Sequence, residues 1–227
     1  MTDIAKNLRE IRKRIKERCD QHGRDSRSVT LVAVSKFKPS SLIREAYEAG
    51  QRTFGENYAQ ELKEKSNDLN ELEINWHFIG HLQKNKAKYV APTVNLVESV
   101  DSVELADTLN KRAPAPIDCL IEVNVGGELS KSGTDENNLV DIARHIESLP
   151  NLRLRGLMTI PPYNPDPEKS RPYFLKLNHL LMVLNKELSP ATRYSELSMG
   201  MSHDFEVAIE EGATIVRVGT AIFGERE

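Results

Sequence analysis

A lysine closes the first apolar run of the chain: residues 29–34 read VTLVAV, five apolar and one threonine, and Ser35 and Lys36 follow. An amine emerging from such a wall sits in low dielectric, which disfavours its charged form and makes it a ready carbonyl nucleophile. The same position also suits a lysine that snorkels its ammonium to water. Near the other end, Arg217 interrupts the β-branched run TIVRVG. A guanidinium in a sheet covered on both faces needs an acceptor, either a carboxylate such as Glu122 or a ligand atom, because leaving it unpaired costs several kcal/mol. A third feature is the pair of segments SELSMGMS (195–202) and VGTAIFG (218–224). The hydroxyl and glycine residues Ser198, Ser202, Gly219 and Thr220, each set before a helical stretch, offer hydroxyls and backbone N–H groups to an anion.

These residues need a scaffold that brings them together, and the rest of the chain supplies the pattern of one. Short β-branched runs alternate with polar helical stretches, giving eight strand candidates that start near residues 29, 52, 75, 94, 117, 152, 194 and 214. Alternating βα units imply parallel strands with right-handed crossovers, and eight in about 200 residues predict an α/β fold, a single (β/α)8 barrel of the TIM type. An open doubly wound sheet is the alternative, but it calls for a Gly-rich first turn, where this chain has KFKPS. In a parallel barrel the active site lies at the carboxyl ends of the strands, where Lys36, Asn57, Met158, Ser202, Arg217 and Thr220 all fall. One domain over residues 1–227 is expected. Ile4, Leu8, Ile11 and Ile15 form one apolar stripe, so residues 1–23 predict an extra N-terminal helix packed on the barrel. The segment 160–172 holds five of the eleven prolines and is expected to be an irregular loop over the barrel mouth.

Composition excludes several classes. With 31 Lys and Arg against 34 Asp and Glu, net −3, there is no positive surplus for a nucleic-acid backbone, so no nucleic-acid partner is expected. No stretch approaches the roughly 20 apolar residues that span a bilayer, so no membrane association is expected. Cys19 and Cys119 lie far apart without a CxxC motif, which fits a reducing, cytoplasmic setting and no metal site. His77 and His81 are four apart, but Gly80 and the strand-like WHFIG between them argue against a shared zinc-binding helix face. GxGxxG, GxxxxGK[ST] and GxSxG motifs do not occur.

A lysine after the first strand, an anion cradle at the last two, and an arginine on the eighth together describe a pyridoxal 5'-phosphate site: an aldehyde for Lys36, a phosphate for the turns, and a pyridine nitrogen for Arg217. In VAVSKFKP, FGENYAQE, WHFIGHLQKNK, SVDS, IEVNVGGELSKSG, GLMTI, LSMGMS and RVGTAIFG the chain resembles, over nearly its whole length, the YggS/PROSC family of pyridoxal-phosphate-binding proteins, related to the barrel domain of alanine racemase. The resemblance implies Lys36 as the Schiff-base lysine, Ser198, Ser202, Gly219 and Thr220 around the phosphate, Arg217 at the ring nitrogen, and Asn57, His77 and Met158 lining the pocket. It also implies a role in holding and delivering pyridoxal phosphate within the cell, with apo forms of pyridoxal-phosphate enzymes as partners, and no catalytic residues of its own. An amino-acid racemase is the alternative, weakened because the chain ends at Glu227, where a racemase would continue into a second domain. An aldolase using Lys36 without cofactor and a purely structural role are the remaining readings. The polar helices predict a monomer.

Overall fold

The computed structural model describes residues 3–128, 132–188 and 193–225. Strands β1 (Thr30–Val34), β2 (Thr53–Glu56), β3 (Asn75–Phe78), β4 (Leu96–Val100), β5 (Ile117–Glu122), β6 (Leu152–Met158), β7 (Glu196–Ser198) and β8 (Ile215–Val218) pair in chain order and close into a barrel. Every pair is parallel, and closure runs through Thr30 opposite Ile215 and Val32 opposite Arg217. Around it lie α1 (Ile4–Gln21), α2 (Ser40–Glu48), α3 (Ala59–Asp68), α4 (Ala87–Val90), α5 (Val103–Arg112), α6 (Leu139–Glu147), α7 (Arg171–Leu188), α8 (Phe205–Glu210) and α9 (Thr220–Phe223). The predicted barrel is the fold.

The extra helix is in place. Asp3 caps α1 by accepting from Lys6 N at 2.8 Å, and the stripe Ile4, Leu8, Ile11, Ile15 and Cys19 is buried. Arg14 and Arg18 tie it to Glu206 and Glu210 on α8, and Asn7 donates to Ile222 O at 2.9 Å. The proline-rich segment is more regular than expected. Pro167–Ser170 forms a 3-10 turn capped by Asp166, and Pro172 sits in the first turn of α7, where a missing N–H costs nothing.

Most of the apolar core lies between the barrel wall and the helices, while Val32, Leu96, Leu120, Met158 and Ile215 form a second cluster inside the barrel. Because side chains alternate along a strand, residues two positions further on line the next inward layer toward the carboxyl ends. From Leu96, Leu120 and Ile215 that step reaches Glu98, Glu122 and Arg217. That layer thus carries Glu98, Glu122 and Arg217 where branched apolar side chains are the rule. At the opposite end, Thr30, Thr53, Asn75, His77, Asp118 and Glu196 border a cavity of about 270 Å³. Among the described residues no helix is long and apolar enough to cross a membrane.

Candidate functional site

Lys36 stands two residues beyond β1, half-buried, on a turn that the surrounding structure holds from two sides. Ser35 N donates to Gly55 O at 3.0 Å and Lys38 N returns to Ser35 O at 3.0 Å. Beneath the turn, the ammonium of Lys65 on α3 donates to Ser35 O (2.8 Å), Glu56 Oε1 (2.7 Å) and Glu61 Oε2 (2.7 Å). Ser35 Oγ donates to Glu56 Oε1 at 2.7 Å, and Phe37 N to Glu61 Oε2 at 2.8 Å. This clamp sustains a left-handed backbone at Phe37, φ 61°, a conformation that a bulky residue adopts only when its neighbours over-determine it. Burial pushes the Glu56 carboxyl above its ordinary value, against the opposing pull of Lys65.

Asn57 follows β2. Its Oδ1 is sealed from solvent without a hydrogen-bond partner among the described residues, and its backbone passes so close to Gly80 that a Cβ there would lie 2.2 Å from Asn57 O. Only glycine permits that approach of the loops after β2 and β3.

Arg217 meets a carboxylate, as the sequence suggested, but not the one it named. Instead of Glu122, its guanidinium donates to Ser198 Oγ and to Thr159 O (2.8 Å) and lies 3.7 Å from Glu98 Oε2. Ser198 Oγ donates in turn to Glu98 Oε2 at 2.5 Å, and His77 Nδ1 donates to Glu98 Oε1 at 2.6 Å. Burial alone would raise the proton affinity of Glu98. The His77 hydrogen bond and the His77 and Arg217 charges, with the Ser198 hydroxyl, outweigh it and hold the carboxyl below its ordinary value. Ser198, fully buried between Arg217 and Glu98, is therefore part of the arginine's support. His77 reaches Glu98 on one side and the opposite cavity on the other. Met158, also fully buried, ends β6 opposite Glu122 and Ser198.

Ser202, Gly219 and Thr220 converge. Gly219 N and Thr220 Oγ1 both donate to Ser202 Oγ at 3.3 Å, long bonds that leave three donors clustered at one spot. The turn before them is pinned by Asp204, which accepts from Met201 N (2.7 Å) and Ser170 Oγ (2.8 Å), and by Arg217 N donating to Gly200 O (3.0 Å). Three residues that build the site, Lys65, Glu98 and Asp204, were not singled out from the sequence. For Glu98 a signal existed: an acid two positions beyond Leu96 in NLVESV falls on the inward face.

Glu122 remains. It is 5% exposed, and among the described residues its carboxyl has no hydrogen bond or ion pair. Burial, then the nearby Asp101 charge, push it from 4.5 up to about 7, against the pull of Arg217. An acid whose folded pKa is raised stabilises the fold when protonated, and that contribution is lost as pH climbs from the unfolded value through the folded one. The interval corresponds to about 3 kcal/mol. Glu122→Gln is accordingly expected to melt roughly 6–12 °C above the parent at pH 8 and close to it at pH 5, measured by circular dichroism. An equal gap at both pH values contradicts the assignment.

The model of the alanine racemase N-terminal domain family matches residues 2–227. A pyridoxal phosphate homeostasis protein of Aquifex aeolicus is 48% identical over 228 residues, covering 99% of each chain, and one of Pseudomonas aeruginosa is 46% identical, covering 100% of this chain and 97% of its own. The chain belongs to the pyridoxal phosphate homeostasis protein family. Among solved structures of this family, PipY of Synechococcus elongatus with PLP bound is similar at a TM-score of 0.86 and 36% identity, over 98% of this chain and 100% of that one. Beyond the family, alanine racemase of Corynebacterium glutamicum shares the barrel at a TM-score of 0.76 but only 16% identity, and this chain covers 61% of it. That similarity is one of fold.

Proposed function

We propose that the protein binds pyridoxal 5'-phosphate at the carboxyl-terminal mouth of the barrel and serves its intracellular supply, without sustained turnover of a substrate. The observation that carries this reading is the convergence on one mouth of three unlike groups: the clamped Lys36 turn, the buried Arg217, and the donors of Ser202, Gly219 and Thr220. The residues fit the group. Ser202 and Thr220 hydroxyls with Gly219 N–H suit a phosphate, their mutual 3.3 Å bonds being weak enough to yield to an anion. Arg217, always charged, suits an unprotonated ring nitrogen. Asn57 follows β2 and the apolar Met158 ends β6, both at the carboxyl ends of the strands. When bound, the cofactor supplies an aldehyde that condenses reversibly with Lys36 Nζ.

The names of the close relatives and PipY's bound PLP support the reading. An arginine facing the ring nitrogen weakens the ring as an electron sink, which favours holding over catalysis. We place the protein in the cytoplasm as a monomer that passes the cofactor to apo enzymes. Mixing the purified protein with pyridoxal phosphate is expected to produce a visible absorbance band that Lys36→Ala abolishes, and incubation with single enantiomers of amino acids is expected to leave them unconverted. A band retained in the variant, or steady racemisation by the parent, overturns the proposal.

A further inference from the structure

Glu122 is the one mouth-layer charge that the described residues leave without a partner. Its strand turns Asp118 to the cavity at the far end and Leu120 to the inner apolar cluster, so Glu122, two residues on, faces the mouth. Arg217 and Glu98 satisfy each other at the same level. Among the described residues the sealed, unpartnered side-chain atoms are Glu56 Oε2, Asn57 Oδ1 and His203 Nε2. The Glu122 oxygens are not among them, so their small remaining surface is open.

A carboxylate this buried and unpaired is costly, and a neutral side chain of similar size would remove the cost. An unpaired acid at this place suits a partner from outside the chain. That partner has to be a donor, and a positive one if the acid is to ionise. A metal ion is a poor match, since no three His, Cys, Asp or Glu side chains converge among the described residues. An ammonium group matches, because it is small, singly charged and brings three N–H donors. Asp101, at the rim with its carboxylate 3.6 Å from His81 Nδ1, adds a second negative charge within electrostatic reach.

We propose that Glu122, flanked by Asp101, is a subsite for the ammonium group of a small primary amine entering the barrel mouth. The inference deepens the proposed function, on which it rests for its meaning: a primary amine is the class of molecule able to take over the cofactor's aldehyde from Lys36. Among the described residues the charged groups that act on Glu122 are Asp101, just beyond β4, and Arg217 on β8. Asp101 favours its protonation and Arg217 opposes it. Only the ionised acid attracts the ammonium, so affinity follows the ionised fraction, which grows about tenfold between pH 6 and pH 8 for an acid titrating near neutrality.

The test is calorimetric or NMR titration of the cofactor-free, full-length protein with ethylammonium chloride at constant ionic strength, at pH 6 and pH 8. Tetramethylammonium, equally charged but without N–H donors, serves as the comparison. The expected result is saturable ethylammonium binding that tightens about tenfold from pH 6 to pH 8 and is at least tenfold weaker in Glu122→Gln, with tetramethylammonium ineffective. A wild-type affinity that is flat between the two pH values, absent binding, equal binding of tetramethylammonium, or a folded Glu122→Gln that binds as well as the parent overturns the inference. The wild-type profile decides even if the variant does not fold. Pyridoxal phosphate uptake, read separately by absorbance on the same samples, distinguishes failure of this subsite from failure of the proposed function.

Discussion

Glu98→Ala is expected to destabilise the protein by about 3–5 kcal/mol, because it strands a buried cation. Glu98 and Arg217 are 0% and 3% exposed, and the carboxylate also accepts from His77 and Ser198. Without it the hydrogen-bond partners left to the guanidinium among the described residues are Ser198 and the Thr159 carbonyl, neither of which carries charge, and the charges of Glu122 and Asp204 act only from farther away. For a domain of this size the melting temperature falls by roughly 6–20 °C. The sign with pH follows from the direction of the Glu98 shift. A carboxyl held below its ordinary value contributes stability above the unfolded pKa and loses it as pH falls through the folded one, so the deficit of the variant is full at neutral pH and shrinks in acid. Glu98→Leu combined with Arg217→Met, which removes both charges, is expected to melt above Glu98→Ala. A single variant that melts within about 2 °C of the parent at pH 7 contradicts the picture of a mutually dependent pair.

The second large effect is expected at Lys65→Met, again about 3–5 kcal/mol, from the other buried ion network. Lys65 is the cation shared by Glu56, Glu61 and the Ser35 carbonyl, and Glu56 is completely buried. Removing the ammonium leaves Glu56 with the Ser35 hydroxyl alone. Its proton affinity, already raised by burial, rises further, so the variant is least impaired in acid, where Glu56 is neutral, and progressively worse as pH increases. The damage is expected to spread to the turn that carries Lys36, since the Phe37 backbone is held in its left-handed conformation by this clamp. Melting at pH 5 and pH 8, with hydrogen exchange at the Phe37 and Lys38 amides, checks both consequences. Unchanged protection of those amides in a destabilised variant separates the clamp from the turn and contradicts the link.

Both networks show where a sequence stops being legible. The barrel was readable because each βα unit announces itself locally, by a β-branched run, a polar helical stretch and a turn, and the resemblance covered the same length. That Lys36, Arg217, Ser202, Gly219 and Thr220 share one end of the barrel was readable because parallel strands put all their carboxyl ends together. The supports were not. Ser198 and Glu98 meet across 100 residues and Glu56 and Ser35 across 21, and although the spacing from Leu96 turns Glu98 inward, nothing local in NLVESV or TFGEN names the partner of its acid. The expected Arg217 partner, Glu122, differs from the observed one, Glu98, for the same reason. Both lie two steps beyond an inward leucine, and only closure of the barrel decides which reaches the guanidinium. Proline was misleading in 160–172, where Pro167 and Pro172 occupy helix starts, positions that tolerate a fixed φ.

The central claim is that one amine, that of Lys36, holds the cofactor. The most direct measurement is borohydride reduction of the protein mixed with pyridoxal phosphate, followed by mass-spectrometric mapping of the modified peptide. The Lys36 turn and the Ser202, Gly219 and Thr220 donors predict a single stoichiometric modification at Lys36. Modification at the neighbouring Lys38, whose ammonium donates to Glu225 O at 2.8 Å, or spread over the surface lysines, contradicts the account.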